Sequence, residues 1–172
     1  MLAHISSYYR IDKINGGLGG FRLTETPIEP FVKDLGVYGI VSDFEKRFDI
    51  SNWAFFMAFD GEKPVGGAVI ASRTEGVNML SGRDDLAVLW DFRVDDDYRN
   101  QGVGQALFNM AAKWSKNQGL IQMKIECQNN NIVACKFYQK QGAVLSIIDE
   151  YAYYHTPQFR HEAQFIWFLN LV

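Results

Sequence analysis

The chain has 172 residues, 48% of them hydrophobic and 15% aromatic, with a formal net charge of −3. That length supports one domain with a substantial core and leaves two domains cramped, while a negative balance with no basic stripe argues against nucleic acid or an anionic membrane as partner. No apolar run is as long as a membrane-spanning helix, and the amino terminus lacks the basic and apolar blocks of a secretory signal, so the expected setting is cytoplasmic.

The first twenty residues read as an arm. Ile5 to Ile11 can make an edge strand, and Asn15-Gly16-Gly17-Leu18-Gly19-Gly20 is a flexible connector. Such an arm packs on the outside of its own domain or on a partner chain, as in a homodimer, and residues 21–172 form the domain proper. Phe21 to Thr26 alternates as a short strand, which Pro27 and Pro30 end before a helix near Phe31 to Leu35. A second short helix is expected over Ser42 to Phe48, with Ser42 and Glu45 spaced as a capping box. Asp43, Glu45 and Asp49 make it locally acidic, which suits either a solvated face or a docking surface for a cationic substrate; Lys46 and Arg47 dilute the charge. Trp53 to Phe59 and Val65 to Ser72 flank Asp60-Gly61-Glu62-Lys63-Pro64 as the two strands of a hairpin. Arg73 to Asp85 then reads as a loop.

The most informative stretch runs from Leu86 to Gly104. Leu86, Val88, Trp90, Phe92 and Val94 recur with the period of a strand, and Asp91, Arg93 and Asp95 occupy the alternate positions. An acidic turn follows, then Arg99, Gly102 and Gly104, and from Val103 the apolar residues take helical spacing as far as Gly119. The first amides of a helix have no internal acceptor, and glycine lets a ligand oxygen approach the backbone, so this turn is a ready anion site. Arg99 adds a permanent charge suited to phosphate. The spacing fits neither a Walker loop nor the GxGxxG dinucleotide turn.

Leu120 to Glu126 is a strand with Gln122, Lys124 and Glu126 on its polar face; joined to the preceding strand through a helix, it should run parallel to it. Asn131 caps a short helix carrying Val133, Ala134, Phe137 and Tyr138, and Gly142 stops it. Ala143 to Ile148 and Ala163 to Leu171 are two closing antiparallel strands. Cys127 and Cys135 fall on different elements and read as reduced thiols. His4, His155 and His161 have no metal-ligand spacing, so no metal is expected.

Arg99-Asn100-Gln101-Gly102-Val103-Gly104 resembles the Arg/Gln-x-x-Gly-x-Gly/Ala signature of the GCN5-related N-acetyltransferases, and Asn131 to Gly142 resembles their Asn-x-x-Ala-x-x-x-Tyr-x-x-x-Gly block. Within that superfamily, Ile125 to Tyr138 is similar to the Glu-Thr-Gln-x-x-Asn-x-x-Ala-Cys-x-x-Tyr block of streptothricin acetyltransferases, with Cys127 where threonine is usual. Leu89 to Val94 and a tail with Asp149, Tyr153, Glu162, Trp167 and Phe168 also fit.

The resemblance implies an α/β fold, a twisted and mostly antiparallel sheet whose central parallel pair splays at an acetyl-CoA site, with helices on both faces. It implies one N-acetyltransferase domain over 21–172, acetyl-CoA as co-substrate, and a primary amine on a small cationic molecule as acceptor. Acetylation of a protein amino terminus or lysine is the alternative, and a non-catalytic acyl-CoA-binding regulator is the alternative of a different class. Backbone groups near Phe92 and Val94 would pair with the pantetheine arm, Arg99 to Gly104 would hold the pyrophosphate, and Asn131 would cap its helix and bond the pantetheine. Asp91 and Glu126 lie near the ends of adjacent strands, which run about 5 Å apart; a like-charge pair of that kind suits one member to be general base or substrate clamp. Tyr138 is carried over as the general acid for the departing thiolate.

Overall fold

The computed structural model describes residues 4–15, 22–34 and 41–171. In chain order the regular elements are β1 (His4–Asn15), β2 (Arg22–Asp34), β3 (Ala54–Asp60), β4 (Lys63–Ser72) and β5 (Leu86–Val94). These are followed by α1 (Val103–Asn117), β6 (Gln122–Gln128), α2 (Ile132–Lys140), β7 (Val144–Asp149) and β8 (Gln164–Asn170). Hydrogen bonding gives a two-stranded sheet of β1 and β2 and a six-stranded sheet in the order β3-β4-β5-β6-β8-β7. The chain divides into two compact units, one built from Asp34–Ile125 with Phe168–Val172 and the other from Ile5–Lys33 with Glu126–Trp167.

In the first unit β3 and β4 form the expected hairpin, paired from Ala54↔Ile70 to Asp60↔Lys63. Gly61, at φ 57°, takes the left-handed conformation its turn needs. β5 runs antiparallel to β4 from Ser72↔Ala87 to Gly66↔Val94. The parallel pairing with β6 runs from Leu86↔Gln122 to Leu89↔Ile125, as the strand-helix-strand spacing required. α1 buries Leu107, Phe108 and Ala111, and Phe108 meets Phe92 edge to face at 6.3 Å. The helix lies so close to β4 that a Cβ on Gly66 would come within 2.9 Å of Leu107 Cδ1.

Expectations fail in two stretches. Ser42 to Phe48 is a 3-10 turn over Val41–Asp43 followed by hydrogen-bonded turns, not a helix. The reason is packing: Phe44 and Phe48 both turn onto Trp53 and Trp90, with ring centroids 5.4–6.1 Å apart, and a regular helix loses to that aromatic cluster. In the second unit, β2 runs through Pro27 and Pro30 as far as Asp34, so the strand does not end at the prolines and no helix begins near Phe31; Leu35 lies outside the described residues. A two-stranded ribbon has only edge strands, where a missing N–H is tolerated. The connector Gly16 to Gly20 also lies outside the described residues. β1 is longer than the expected Ile5 to Ile11, because pairing with β2 carries it to Asn15.

The closing elements match the reading to within two residues. Asn131 Oδ1 accepts a hydrogen bond from the Ala134 amide at 3.2 Å, capping α2, and Gly142 stops the helix at φ 86°. No described helix is long and apolar enough to cross a membrane.

Candidate active site

β5 buries its first four residues and leaves Trp90 to Val94 half-buried. Asp91 and Arg93, two apart and therefore on one face of the strand, are joined by a 2.7 Å bond from Arg93 Nε to Asp91 Oδ1, with side chains 16% and 12% exposed respectively. Asp91 is thus a charge-matched carboxylate. Past the strand, the Asp95 amide donates to Val65 O at 2.9 Å and the Asp95 carboxylate accepts from the Asp97 amide at 3.1 Å, starting the 3-10 turn Asp96–Tyr98. Tyr98 donates to Asp60 at 2.9 Å, and the Lys63 ammonium sits 4.7 Å from its ring centroid. The acidic turn is therefore pinned to the β3–β4 hairpin.

Beyond it the chain changes hand twice. Asn100, at φ 59°, and Gly102, at φ 89°, are left-handed, and asparagine is one of the few side chains that tolerate this. Gln101 Nε2 donates to Asp97 O at 2.6 Å, closing the turn, and Arg99 reaches Asp96 at 2.6 Å. α1 then opens at Val103 with no side-chain cap at Gly102. Its first i to i−4 bond is Ala106 N to Gly102 O at 2.9 Å, so the amides of Val103, Gly104 and Gln105 precede any helical acceptor. A Cβ at Gly102 would meet nothing within 4 Å. Room, amide donors and the positive end of a helix dipole converge at this turn, as an anionic ligand requires.

The second unit holds Glu126, Asn131 and Tyr138. Tyr153 donates to Glu126 Oε1 at 2.5 Å, and Gln128 Nε2 donates to the Tyr153 hydroxyl oxygen at 3.1 Å. Lys33 donates to Gln128 Oε1 at 3.3 Å and to Glu162 Oε2 at 2.5 Å, and Asn130 Nδ2 donates to Glu162 Oε1 at 3.0 Å. The Lys33 and Glu162 side chains are each 5% exposed. Burial holds the Lys33 ammonium below its usual 10.5, and the bond to Glu162 works against that shift. Tyr138 is buried on α2, edge to face with Phe137 at 5.6 Å. Cys127 and Cys135 are free thiols with sulfurs 3.5 Å apart, and Trp167 Nε1 donates to Cys127 Sγ at 3.2 Å. The bond with Cys135, reinforced by burial, pushes the Cys127 thiol well above its usual 9.0, which makes it a poor nucleophile.

Each candidate thus has its own neighbours: Asp91 is joined to Arg93 in one unit, and Glu126 to Tyr153 in the other. Sequence reasoning missed the parts played by Lys33, Gln128 and Asn130. Lys33 lies on β2, where a helix near Phe31 is expected from the sequence. The polar run Gln128 to Asn131, which begins on the last residue of β6, is the signal that points to the other two. Opposite charges two residues apart at Asp91 and Arg93 were a readable pair. Among the described residues, no three His, Cys, Asp or Glu side chains gather as metal ligands.

The Acetyltransferase (GNAT) family matches residues 23–143. The chain belongs to the GNAT acetyltransferase family. As a member it is an N-acetyltransferase, and the family uses acetyl-CoA. This GNAT chain is 30% identical over 149 residues to the streptothricin acetyltransferase of Escherichia coli, covering 87% of the chain and 76% of that relative. To streptothricin acetyltransferase A of Bacillus subtilis (strain 168) it is 32% identical over 92 residues, 54% of the chain and 53% of the relative. Among solved structures, a Bacillus anthracis str. Ames protein assigned as a streptothricin acetyltransferase, in complex with acetyl coenzyme A, superposes with a TM-score of 0.79 at 23% identity, over 98% of this chain and 89% of that one. A nourseothricin acetyltransferase does so with a TM-score of 0.78 at 20% identity, over 100% and 89%. The GNAT fold expected from the motifs, with its one parallel strand pair, is the fold observed.

Proposed function

We propose that this acetyltransferase moves an acetyl group from acetyl-CoA to a primary amine of a small cationic molecule, the β-lysine arm of a streptothricin being the first candidate. The observation that carries the reading is the uncapped start of α1 behind the left-handed turn at Asn100 and Gly102. Arg99 and the backbone from Asn100 through Gln101, Gly102 and Val103 to Gly104 hold the pyrophosphate, and Arg99 exchanges Asp96 for that anion. Backbone groups of Phe92 and Val94 on the half-buried end of β5 pair with the pantetheine, and Asn131 adds a bond from the head of α2.

Glu126 takes the incoming ammonium, as base or as clamp, and frees the nitrogen lone pair for attack on the thioester carbonyl; Asp91 is the other carboxylate that could serve. Tyr138 returns a proton to the thiolate, a transfer that a phenol near 10 can make to a thiol near 8.5. Transfer is direct: the neutral, buried Cys127 thiol takes no acetyl group. The small-amine acceptor is favoured by the two streptothricin acetyltransferases among the relatives.

The test follows thiol release from acetyl-CoA with streptothricin, polyamines, aminoglycosides and lysine peptides. Turnover highest with streptothricin is the expected result. Turnover confined to peptides would replace this reading with protein acetylation, and tight coenzyme binding with no amine turned over would remove it.

A further inference from the structure

We propose that Tyr153 is a positioning residue that aims Glu126 at the acceptor ammonium, and that Gln128, oriented by Lys33, offers the Tyr153 hydroxyl a donor and so leaves its proton to Glu126. The inference rests on the reading that Glu126 receives that amine.

The argument starts from what each group can and cannot do. Lys33 Nζ lies 2.5 Å from a Glu162 carboxylate oxygen and 3.3 Å from Gln128 Oε1. An ammonium has donors and no acceptor, so the carbonyl end of the Gln128 amide must face Lys33 and the NH2 end must face away from it. The orientation of this amide follows from the cation beside it, not from a choice between two similar atoms. The NH2 end meets the Tyr153 hydroxyl oxygen at 3.1 Å and donates to it. A phenol has a single proton, and with its oxygen accepting from Gln128 that proton is directed to Glu126 Oε1, 2.5 Å away.

Lys33 can only donate and the Glu126 carboxylate can only accept, so every bond between them runs the same way, starting from the Lys33 end. That end is itself fixed, because Glu162 accepts from both Lys33 and Asn130, and the Phe159 ring centroid lies 5.6 Å from the ammonium. Glu126, half-buried on β6, has Oε1 committed to Tyr153, so Oε2 is the oxygen that the proposal assigns to the ammonium. A primary ammonium, which only donates, is the complement to an oxygen held as an acceptor in this way.

The test separates direction from mere packing. Gln128→Glu keeps an oxygen for Lys33 and puts a second acceptor where the amide NH2 stood, drawing the Tyr153 proton off Glu126. Gln128→Leu removes the donor and leaves that proton on Glu126. The expected result is that kcat/KM for the amine falls about tenfold to a hundredfold in Gln128→Glu and in Tyr153→Phe, the range a bond to a charged group spans. The fall is smaller in Gln128→Leu, which brings no competing acceptor, and the KM for acetyl-CoA holds in all three. Equal kcat/KM in Gln128→Glu and Gln128→Leu overturns the proposal.

A second readout does not depend on turnover. With tyrosine labelled at its ring carbon bearing the hydroxyl, the Tyr153 resonance, identified by its loss in Tyr153→Phe, should move in both Gln128→Glu and Glu126→Gln. A resonance that stays in place in both overturns the relay whatever the kinetics show. Movement as expected, combined with wild-type turnover in Glu126→Gln, refutes Glu126 as the amine's carboxylate and with it the function assigned to Tyr153.

Discussion

Gly66 on β4 lies beneath the first turn of α1, and replacing it by alanine tests how tightly that turn is seated. The new Cβ would stand 2.9 Å from Leu107 Cδ1, 3.1 Å from Val103 Cγ1 and 3.1 Å from Arg93 O. The leucine methyl can rotate away. Val103 is β-branched and stiff in a helix, and the Arg93 carbonyl belongs to the backbone of β5, so neither yields without moving an element. Overpacking of this kind costs about 1–3 kcal/mol, and for a chain of this size each kcal/mol lowers the melting temperature by roughly 2–4 °C. The direction of relief also matters: α1 moves off the sheet at Val103, where the proposed pyrophosphate amides begin.

Gly66→Ala is therefore expected to melt lower and to show a raised KM for acetyl-CoA, read by thermal denaturation and initial rates. The neighbouring Gly67 supplies the control, because its Cβ would meet only Phe56 O at 3.4 Å, an ordinary contact. Gly67→Ala should leave both readouts near wild type. The reasoning fails if Gly66→Ala is silent, or if the two substitutions cost the same.

Other expectations follow from the same geometry. Tyr138→Phe should slow turnover with acetyl-CoA affinity retained, and a wild-type rate would dismiss the acid role. Gly104→Asp puts a negative side chain against the proposed pyrophosphate turn, so coenzyme binding measured by calorimetry should weaken sharply; unchanged binding would refute the assignment. Asn131→Ala removes the cap on α2 and should cost about 0.5–2 kcal/mol in denaturant unfolding, with a higher acetyl-CoA KM if the side chain also bonds pantetheine. Cys127 and Cys135 should resist a thiol-titrating disulfide reagent in the folded protein and react on unfolding. Rapid native labelling of Cys127 would contradict the raised thiol and its burial.

Much of the fold was legible because its signals are local. The strand from Leu86 to Val94, the glycine turn into a periodic helix, and the Asn131 cap with its Gly142 stop each state a backbone geometry within a dozen residues, and each is found, although a register shift against β4 between Leu89 and Asp91 breaks the strict alternation. What was not legible depends on distant partners. Ser42 to Phe48 has a helix-start signature, yet Trp53 and Trp90 claim its two phenylalanines. Pro27 and Pro30 look like strand enders, and only the presence of β1 alongside explains why β2 continues. The candidate site divides the same way. The anion turn could be read from one segment. The bonds from Lys33 through Gln128 and Tyr153 to Glu126 span β2, β6 and the loop before β8, and no spacing rule connects residues so far apart.

The two prolines in β2 also bear on how this chain meets its neighbours. In a regular strand, successive N–H groups point to opposite edges, so residues 27 and 30, three apart, have their missing donors on opposite sides. Whichever edge β1 occupies, the outward rim of β2 carries one gap in its row of donors. A thirteen-residue strand at the edge of a two-stranded ribbon is otherwise a template for pairing with another extended chain. One proline on that rim interrupts the template at its middle, so the ribbon is protected against strand-to-strand aggregation by the same residues that made it look too broken to form.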